Sequence, residues 1–173
     1  MEKPTKNNLP KRKPLRLRDF DYSEAGVYFI TVCTKERRNI LSRIISVEID
    51  GLGASQSVDL LPCGRIAEKY INQINEFYTD IEVDGYVIMP NHIHLLLRVL
   101  DQDDGYGPSR TSAPTRQHST VARVVSTFKR FSNKECGENI WQRRFYDHVI
   151  RSQKDYEEHL RYIEGNPFRW QPS

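Results

Sequence analysis

The sequence has few cysteines and no long apolar run, and each absence narrows the class of protein. Its 173 residues include three cysteines, Cys33, Cys63 and Cys136, which are odd in number and show no paired spacing. This pattern argues against a disulfide framework or a cysteine zinc site, and it predicts reduced thiols. No segment reaches the length of a membrane span, and the charged, proline-containing N-terminus lacks the apolar stretch of a secretion signal. We therefore expect a cytoplasmic protein without membrane association.

The net charge is low, but the positive charge is unevenly placed. The formal net charge is +3 at pH 7, and lysines and arginines cluster before the first plausible strand. We interpret residues 1–18 as a flexible basic arm, which either favours a polyanionic partner or is simply a solvated terminus. The rest, 19–173, is the size of one domain. Within it, the Asp-, Gly-, Pro-, Ser- and Thr-rich segment 101–119 predicts a mobile loop.

The stretch Tyr86–Arg98 predicts two strands joined by a turn at Pro90-Asn91. Because side chains alternate along a strand, His92 and His94 share one face, and the apolar residues that alternate with them share the other. The second strand is flanked by apolar residues on both faces, so we expect it to be central, with its imidazoles partly shielded from water. Two convergent imidazoles can bind a divalent metal, but the same spacing suits hydrogen-bonded histidines, and it does not identify the metal.

The remaining periodicity predicts the other elements. The β-branched and aromatic run at 27–34 predicts a first strand, and the segment that follows, up to Leu61, has no clear period. We expect an irregular excursion there, with at most a short hairpin near 44–49. Residues 62–78 predict one amphipathic helix, whose apolar positions are Ile66, Tyr70, Ile74 and Phe77.

A second helix and a last strand complete the pattern. Residues 120–133 predict a basic helix closed by Gly137, and 140–151 contain an aromatic-rich strand. The order is strand, helix, strand, strand, helix, strand, which is that of the ferredoxin-like fold. We predict an α+β protein with an antiparallel sheet and helices on one side, followed by a further C-terminal helix.

The C-terminal helix has recognisable ends. Ser152 and Asp155 have the spacing of a capping box, and Gly165 with Pro167 ends the helix. Its core-facing stripe is formed by Tyr156, Leu160 and Ile163.

Tyr162 lies off that stripe. At about 100° per residue it is roughly 110° from the centre of the stripe, and Asn166 lies on the same flank. A phenol and an amide therefore point to one side of the helix. On this evidence alone, Tyr162 is either a functional group or a boundary tyrosine with a solvated hydroxyl.

Three blocks together resemble a known family. They are Met89-Pro90-Asn91-His92-Ile93-His94, the segment Trp141–Arg151, and the helix from Asp155-Tyr156 through Tyr162-Ile163 to Asn166-Pro167. In order and spacing, they resemble the single-tyrosine HUH transposases, named for two histidines around a hydrophobic residue, and specifically the REP-associated tyrosine transposases. The resemblance extends from about Tyr28 to Trp170, and it implies the HUH endonuclease fold.

The resemblance also implies a chemistry. His92 and His94 would bind a divalent ion, Mg²⁺ or Mn²⁺, with Asn166 as a third ligand, although an amide is weaker than a carboxylate. Tyr162 would attack single-stranded DNA in hairpin-forming repeats, giving a 5′-phosphotyrosine and a free 3′-hydroxyl. The family implies a DNA-associated protein of bacterial type, and some relatives exchange this helix within a homodimer.

Single-stranded DNA binding needs a basic track and surfaces for base stacking. We expect the track to include Arg123, Lys129, Arg130, Arg143, Arg144 and Arg151. Tyr146 and Tyr156 are rival nucleophiles, explained better as a packing or stacking residue and as core. His148 is a possible further ligand or DNA contact, or a hydrogen-bonded strand residue, whereas His118 and His159 have no motif support.

Two other functions compete with the transposase. One is a domesticated DNA- or RNA-binding module that keeps the fold but does not cut. The other is a metal-dependent hydrolase that uses water, for which Tyr162 would be dispensable.

Overall fold

A computed structural model describes residues 25–49, 53–101 and 119–170. The predicted basic arm at 1–18 and almost all of the predicted loop at 101–119 lie outside these residues, as does His118. The strands are β1 Gly26–Cys33, β2 Ser42–Ile49, β3 Gly53–Leu60, β4 Ile81–Met89, β5 His92–Val99 and β6 Tyr146–Ile150. The helices are α1 Pro62–Asn72, α2 Ile74–Phe77, α3 Thr120–Cys136 and α4 Gln153–Gly165.

The main sheet has the predicted ferredoxin-like topology. Its four strands are ordered β4-β5-β1-β6, and every neighbouring pair is antiparallel. The histidine strand β5 is therefore internal, as its apolar residues predicted. Strand β6 forms one edge, next to β1.

Helices cover both faces of this sheet. On one face, α1 and α3 pack against the alternate residues of the central strands, including Ile30, Ile93 and Leu95. On the other face, Ile163 of α4 packs against Phe29 and Leu96 in a smaller cluster. The predicted C-terminal helix thus covers the face that carries the histidines.

The first turn of α4 has one of the two hydrogen bonds of a capping box, and the second bond goes to a different residue. The Ser152 hydroxyl accepts a hydrogen bond from the Asp155 N–H at 3.2 Å, as predicted. The Asp155 carboxylate, however, accepts from the N–H of Arg151, at 3.1 Å. Both contacts hold the first turn of α4 against the end of β6.

A glycine in β4 makes room for α4. The ladder between β4 and β5 shifts register between Val83 and Gly85, and a Cβ atom at Gly85 would lie 3.3 Å from Cδ1 of Leu160. The Leu160 side chain therefore occupies a space next to Gly85 that would be smaller if residue 85 had a side chain. We call this space the Gly85 socket.

The prediction of one helix over 62–78 is wrong in its details. The segment is divided at Gln73 into α1 and α2, and Phe77 is 73% exposed. The buried stripe runs through Ala67, Ile71 and Ile74. The first half of the stripe consists of the small residues Gly64 and Ala67, which a search for large apolar residues does not select.

The segment between β1 and α1 is more regular than expected. Strands β2 and β3 form a two-stranded antiparallel hairpin that pairs from Ser42 with Leu60 to Ile49 with Gly53. Most of the described side chains in it are at least partly exposed. The short hairpin expected near 44–49 is thus present, but it is longer than expected and extends over the whole of β2 and β3.

Replacing Gly64 with alanine is expected to destabilise the fold. A methyl group there would overlap the carbonyl oxygen of Leu41, which is held in place because it accepts the Leu61 N–H at 2.9 Å. The overlap should outweigh the better helix propensity of alanine, and we expect a loss of about 3 kcal/mol in the free energy of unfolding. Thermal denaturation should show a midpoint lowered by about 10 °C for a chain of this size.

Gly165→Ala is the matched control for that substitution. Among the described residues, no atom apart from the nearby backbone of α4 itself lies within 4 Å of the Cβ position at Gly165, so the variant should gain up to about 1 kcal/mol from helix propensity. Equal midpoints for the two variants would contradict the close approach of α1.

Candidate active site

The turn before β5 fixes the orientation of His92. The carbonyl oxygen of Asn91 accepts from the N–H and the hydroxyl of Thr34, at 2.9 and 3.0 Å. The side-chain oxygen of Asn91 lies 2.7 Å from Nδ1 of His92. Because an amide oxygen only accepts, the proton of His92 lies on Nδ1, and Nε2 carries the lone pair.

His94 is held by its cross-strand neighbour. Thr31 lies opposite it in the β1–β5 ladder, and the Thr31 hydroxyl oxygen is 2.9 Å from Nδ1 of His94. The Phe29 ring stacks on the imidazole, with centroids 4.9 Å apart and planes 22° apart. These contacts leave Nε2 of His94 directed at Nε2 of His92, at 3.1 Å.

The two imidazoles are suited to bind a cation. Burial, with a smaller effect of Arg37, lowers the pKa of His92 to about 4. Burial, followed by the charges of His92, His159 and Arg37, lowers the pKa of His94 to about 3. Both rings are thus neutral at pH 7. Two neutral imidazoles whose Nε2 atoms lie 3.1 Å apart would supply two nitrogen ligands to one divalent ion.

Tyr162 lies next to this pair. Its ring meets that of His94 edge-on, with centroids 5.2 Å apart and an interplanar angle of 69°. The Tyr162 side chain is 38% exposed. It lines an open pocket of about 450 Å³ with Phe29, Thr31, His94, Glu158 and His159. The fold therefore brings the phenol and the histidine pair, far apart in sequence, to one place.

Asn166 is buried immediately after α4. It is one turn beyond Tyr162, which contacts His94. Four residues later, the Trp170 ring lies 6.1 Å from that of His92. Asn166 thus belongs to a short segment whose two ends contact the two histidines.

The pocket includes residues that the sequence did not single out. Thr31 orients His94, and His159 was set aside for lack of a motif. His159 precedes Tyr162 by three residues, a spacing that brings two side chains together on a helix. That spacing could have identified it. Glu158, on the same helix, also lines the pocket.

The rival tyrosines have other environments. Tyr156 is half-buried, and the Arg98 guanidinium lies 5.7 Å from its ring centre. Tyr146 is 47% exposed at the start of the edge strand β6, opposite Thr31 in the ladder. Tyr156 is therefore part of the α4 contact, as expected, whereas Tyr146 is an exposed side chain next to Thr31.

The six predicted basic residues lie in two regions. Arg143, Arg144 and Arg151 are exposed and flank β6, the edge strand next to β1. Arg123 and Arg130 are on α3, which packs on the opposite face of the sheet.

Lys129 is not exposed, although we predicted it to contact nucleic acid. The residue is buried, and its ammonium donates to the carbonyl oxygens of Gln142 and Arg144, at 2.9 and 3.0 Å. The chain before β6 folds back over α3 and covers it, which helical periodicity alone could not indicate.

A second group of metal-ligating side chains lies near the pocket. The ligand atoms of His148, Asp155 and His159 all lie within 4.8 Å of one another.

Among the described residues, none of the helices has the length and apolar character needed to cross a membrane.

An antiparallel ferredoxin-like sheet with a histidine pair on one face, and a tyrosine on the helix covering that face, is the arrangement expected of a single-tyrosine HUH protein. Comparison with known proteins agrees with this class. The family model for IS200-like transposases matches residues 23–166. The chain belongs to this transposase family, within the REP-associated tyrosine transposases.

Two relatives and one solved structure illustrate the similarity. A candidate REP-associated tyrosine transposase of Haemophilus influenzae is 30% identical, over 86% of this chain and 74% of its own length. The REP-associated tyrosine transposase of Escherichia coli is 28% identical, over 86% of this chain and 70% of its own. The fold is similar to that of a REP-associated tyrosine transposase bound to a REP hairpin, with a TM-score of 0.59, 22% identity, and coverage of 89% of this chain and 73% of that one.

Proposed function

We propose that this protein is a metal-dependent single-stranded DNA endonuclease and strand transferase that acts on hairpin-forming repeats through a 5′-phosphotyrosine at Tyr162. The observation that supports this most directly is the edge-on contact of Tyr162 with His94 in an open pocket. The similar transposase bound to a REP hairpin supports the choice of substrate.

The metal ligands in this proposal are His92, His94 and Asn166. Two neutral nitrogens 3.1 Å apart, each oriented through its other ring nitrogen, are suited to hold a divalent ion. Mg²⁺ or Mn²⁺ bound there would supply positive charge to the non-bridging oxygens of the scissile phosphate and favour the phenolate form of the nucleophile.

Tyr162 supplies the nucleophile. Its phenol oxygen forms a bond to phosphorus while the bond from phosphorus to the 3′ oxygen breaks, which leaves a free 3′-hydroxyl. The new phosphotyrosine ester conserves the energy of the broken phosphodiester, so a 3′-hydroxyl can attack it and rejoin DNA without ATP. Cleavage and joining are then one reaction in two directions.

An end-labelling experiment tests this function. The protein is incubated with a single-stranded hairpin oligonucleotide and Mg²⁺ or Mn²⁺, and the products are separated under denaturing conditions. A label at the 3′ end should migrate with the protein, and a label at the 5′ end should be released. Binding without cleavage would favour the non-cleaving module, and cleavage without an adduct would favour a hydrolase that uses water.

Removing the two arginines before β6 should weaken DNA binding. Arg143→Ala with Arg144→Ala deletes two exposed charges next to the edge strand β6. Single-stranded binding loses about 0.7 in the slope of log K against log salt for each phosphate contact, so the slope should fall by about 1.4. Fluorescence anisotropy over a salt series measures it.

Arg123→Ala with Arg130→Ala is the charge-matched control for that measurement. These residues lie across the sheet from the pocket, so the same change in net charge should have a smaller effect on the slope. Equal slopes for the two double variants would contradict a DNA path along β6.

A further inference from the structure

We propose that His159 accepts the phenolic proton of Tyr162, and that Asp155 and His148 hold His159 in position for this transfer. This inference rests on the proposed function and adds a proton acceptor to it. It is carried by the contacts around the His159 ring and by its place in the pocket.

The hydrogen bonds of His159 determine which nitrogen is available. Its Nδ1 lies 2.8 Å from the backbone carbonyl oxygen of Asp155 and 3.1 Å from the carboxylate of the same residue. Carbonyl and carboxylate oxygens are acceptors, so the proton of the neutral ring lies on Nδ1. Nε2 therefore carries the lone pair.

Ring contacts hold the His159 imidazole in place. The His148 ring stacks on that of His159, with centroids 4.8 Å apart and planes 16° apart. The Phe29 ring packs against His159 with a centroid distance of 4.6 Å. With the Nδ1 edge occupied by Asp155, the edge that contains Nε2 is left to line the pocket.

Tyr162 and His159 lie on the same side of α4. Tyr162 and His159 are three residues apart on α4, line the same pocket, and both pack against Phe29, whose ring centre is 6.0 Å from that of Tyr162. The pocket has room for a water molecule or a phosphate group beside them. The proton can thus pass directly or through one water molecule.

Asp155 is suited to stabilise the imidazolium that the transfer creates. Although its burial acts to raise the pKa of Asp155, hydrogen bonds from the Arg151 N–H and from His148 hold that pKa below its ordinary value. Asp155 therefore remains a carboxylate, and it lies beside the protonated side of His159. This is the relation of aspartate to histidine in a serine protease triad.

The other titratable groups near His159 are consistent with this role. Glu158 of α4 lines the pocket and adds a negative charge. His148 of β6 shares the Asp155 carboxylate, at 3.0 Å from Nε2.

The proton balance of the step is complete. The phenolic O–H bond breaks and its proton moves to Nε2 of His159, while the phenol oxygen bonds to phosphorus. The bond from phosphorus to the 3′ oxygen breaks, and that oxygen takes a proton from water. In the joining direction, His159 returns its proton to the departing phenolate.

His159→Ala and His159→Gln test this role. Each should slow adduct formation on the hairpin oligonucleotide by at least about 10²-fold, the usual contribution of a proton acceptor. Affinity for the oligonucleotide and for Mn²⁺ should be unchanged. Added imidazole should restore part of the rate of His159→Ala when Mg²⁺ is the ion, because Mg²⁺ prefers oxygen ligands and is left free.

Glu164→Gln is the control, an exposed position on the same helix, and its rate should equal that of the wild type. A normal rate for His159→Ala, or a reduced rate that imidazole does not restore, would overturn the proposal. So would a loss of Mn²⁺ affinity, since it would make His159 a ligand together with His148 and Asp155. A wild-type protein that forms no adduct would overturn the proposed function and this role with it.

Discussion

Tyr162→Phe is expected to abolish the protein–DNA adduct and to slow cleavage by at least about 10³-fold, because it removes the nucleophilic oxygen. The change removes one hydroxyl from a side chain that is 38% exposed, so the fold should be unaffected. Denaturing electrophoresis with a 3′-labelled hairpin oligonucleotide measures the adduct, and circular dichroism checks the fold.

The matched controls are Tyr146→Phe and Tyr156→Phe, since each also removes one phenolic hydroxyl. Tyr146 lies on the sheet and Tyr156 on the helix α4 that covers it. Tyr156 belongs to the contact between α4 and the sheet, and Tyr146 lies at the open edge. Both variants should still form the adduct. An adduct that persists in Tyr162→Phe and disappears in either control would assign the nucleophile to that tyrosine.

His94→Ala is expected to abolish metal-dependent cleavage and to weaken Mn²⁺ binding. Loss of a residue that only orients a metal ligand typically weakens metal binding by about 10- to 100-fold, and loss of the ligand His94 itself should have a larger effect. Ligand binding stabilises a fold by about 2.7 kcal/mol at 100 times the dissociation constant. Mn²⁺ should therefore raise the unfolding midpoint of the wild type and leave that of His94→Ala unchanged. This comparison within each protein removes the cost of truncating a buried side chain.

Tyr162→Phe serves as the control for the metal measurement, because it retains His92, His94 and Asn166. Its midpoint should rise with Mn²⁺ as in the wild type. A Mn²⁺-dependent rise that survives in His94→Ala would place the ion elsewhere, for instance at His148 and Asp155.

The histidine strand could be predicted because its pattern is local. Alternation with period two is set by the strand itself, so the shared face of His92 and His94 followed from their spacing. The strand order followed from the succession of elements, and the family resemblance then pointed to Tyr162. The structure places all three side chains together, as expected.

Other parts of the site depend on pairings that no local pattern contains. Thr31 orients His94 only because β1 and β5 pair in one particular register. Lys129 is buried because distant carbonyl oxygens fold over it. His159 gains its role from a strand residue, His148, and from Asp155 one turn earlier. Such contacts become visible only when the chain is folded.

The Gly85 socket has a consequence for how α4 is positioned along its own axis. If the helix slid by one turn, about 5.4 Å, the large ring of Tyr156 or a charged neighbour would have to occupy a space that fits the Leu160 methyl groups. The Gly85 socket therefore accepts Leu160 at only one position of α4 along its axis. The contact between Gly85 and Leu160 fixes where α4 lies along the sheet, and it therefore fixes the position of the Tyr162 phenol relative to the histidine pair.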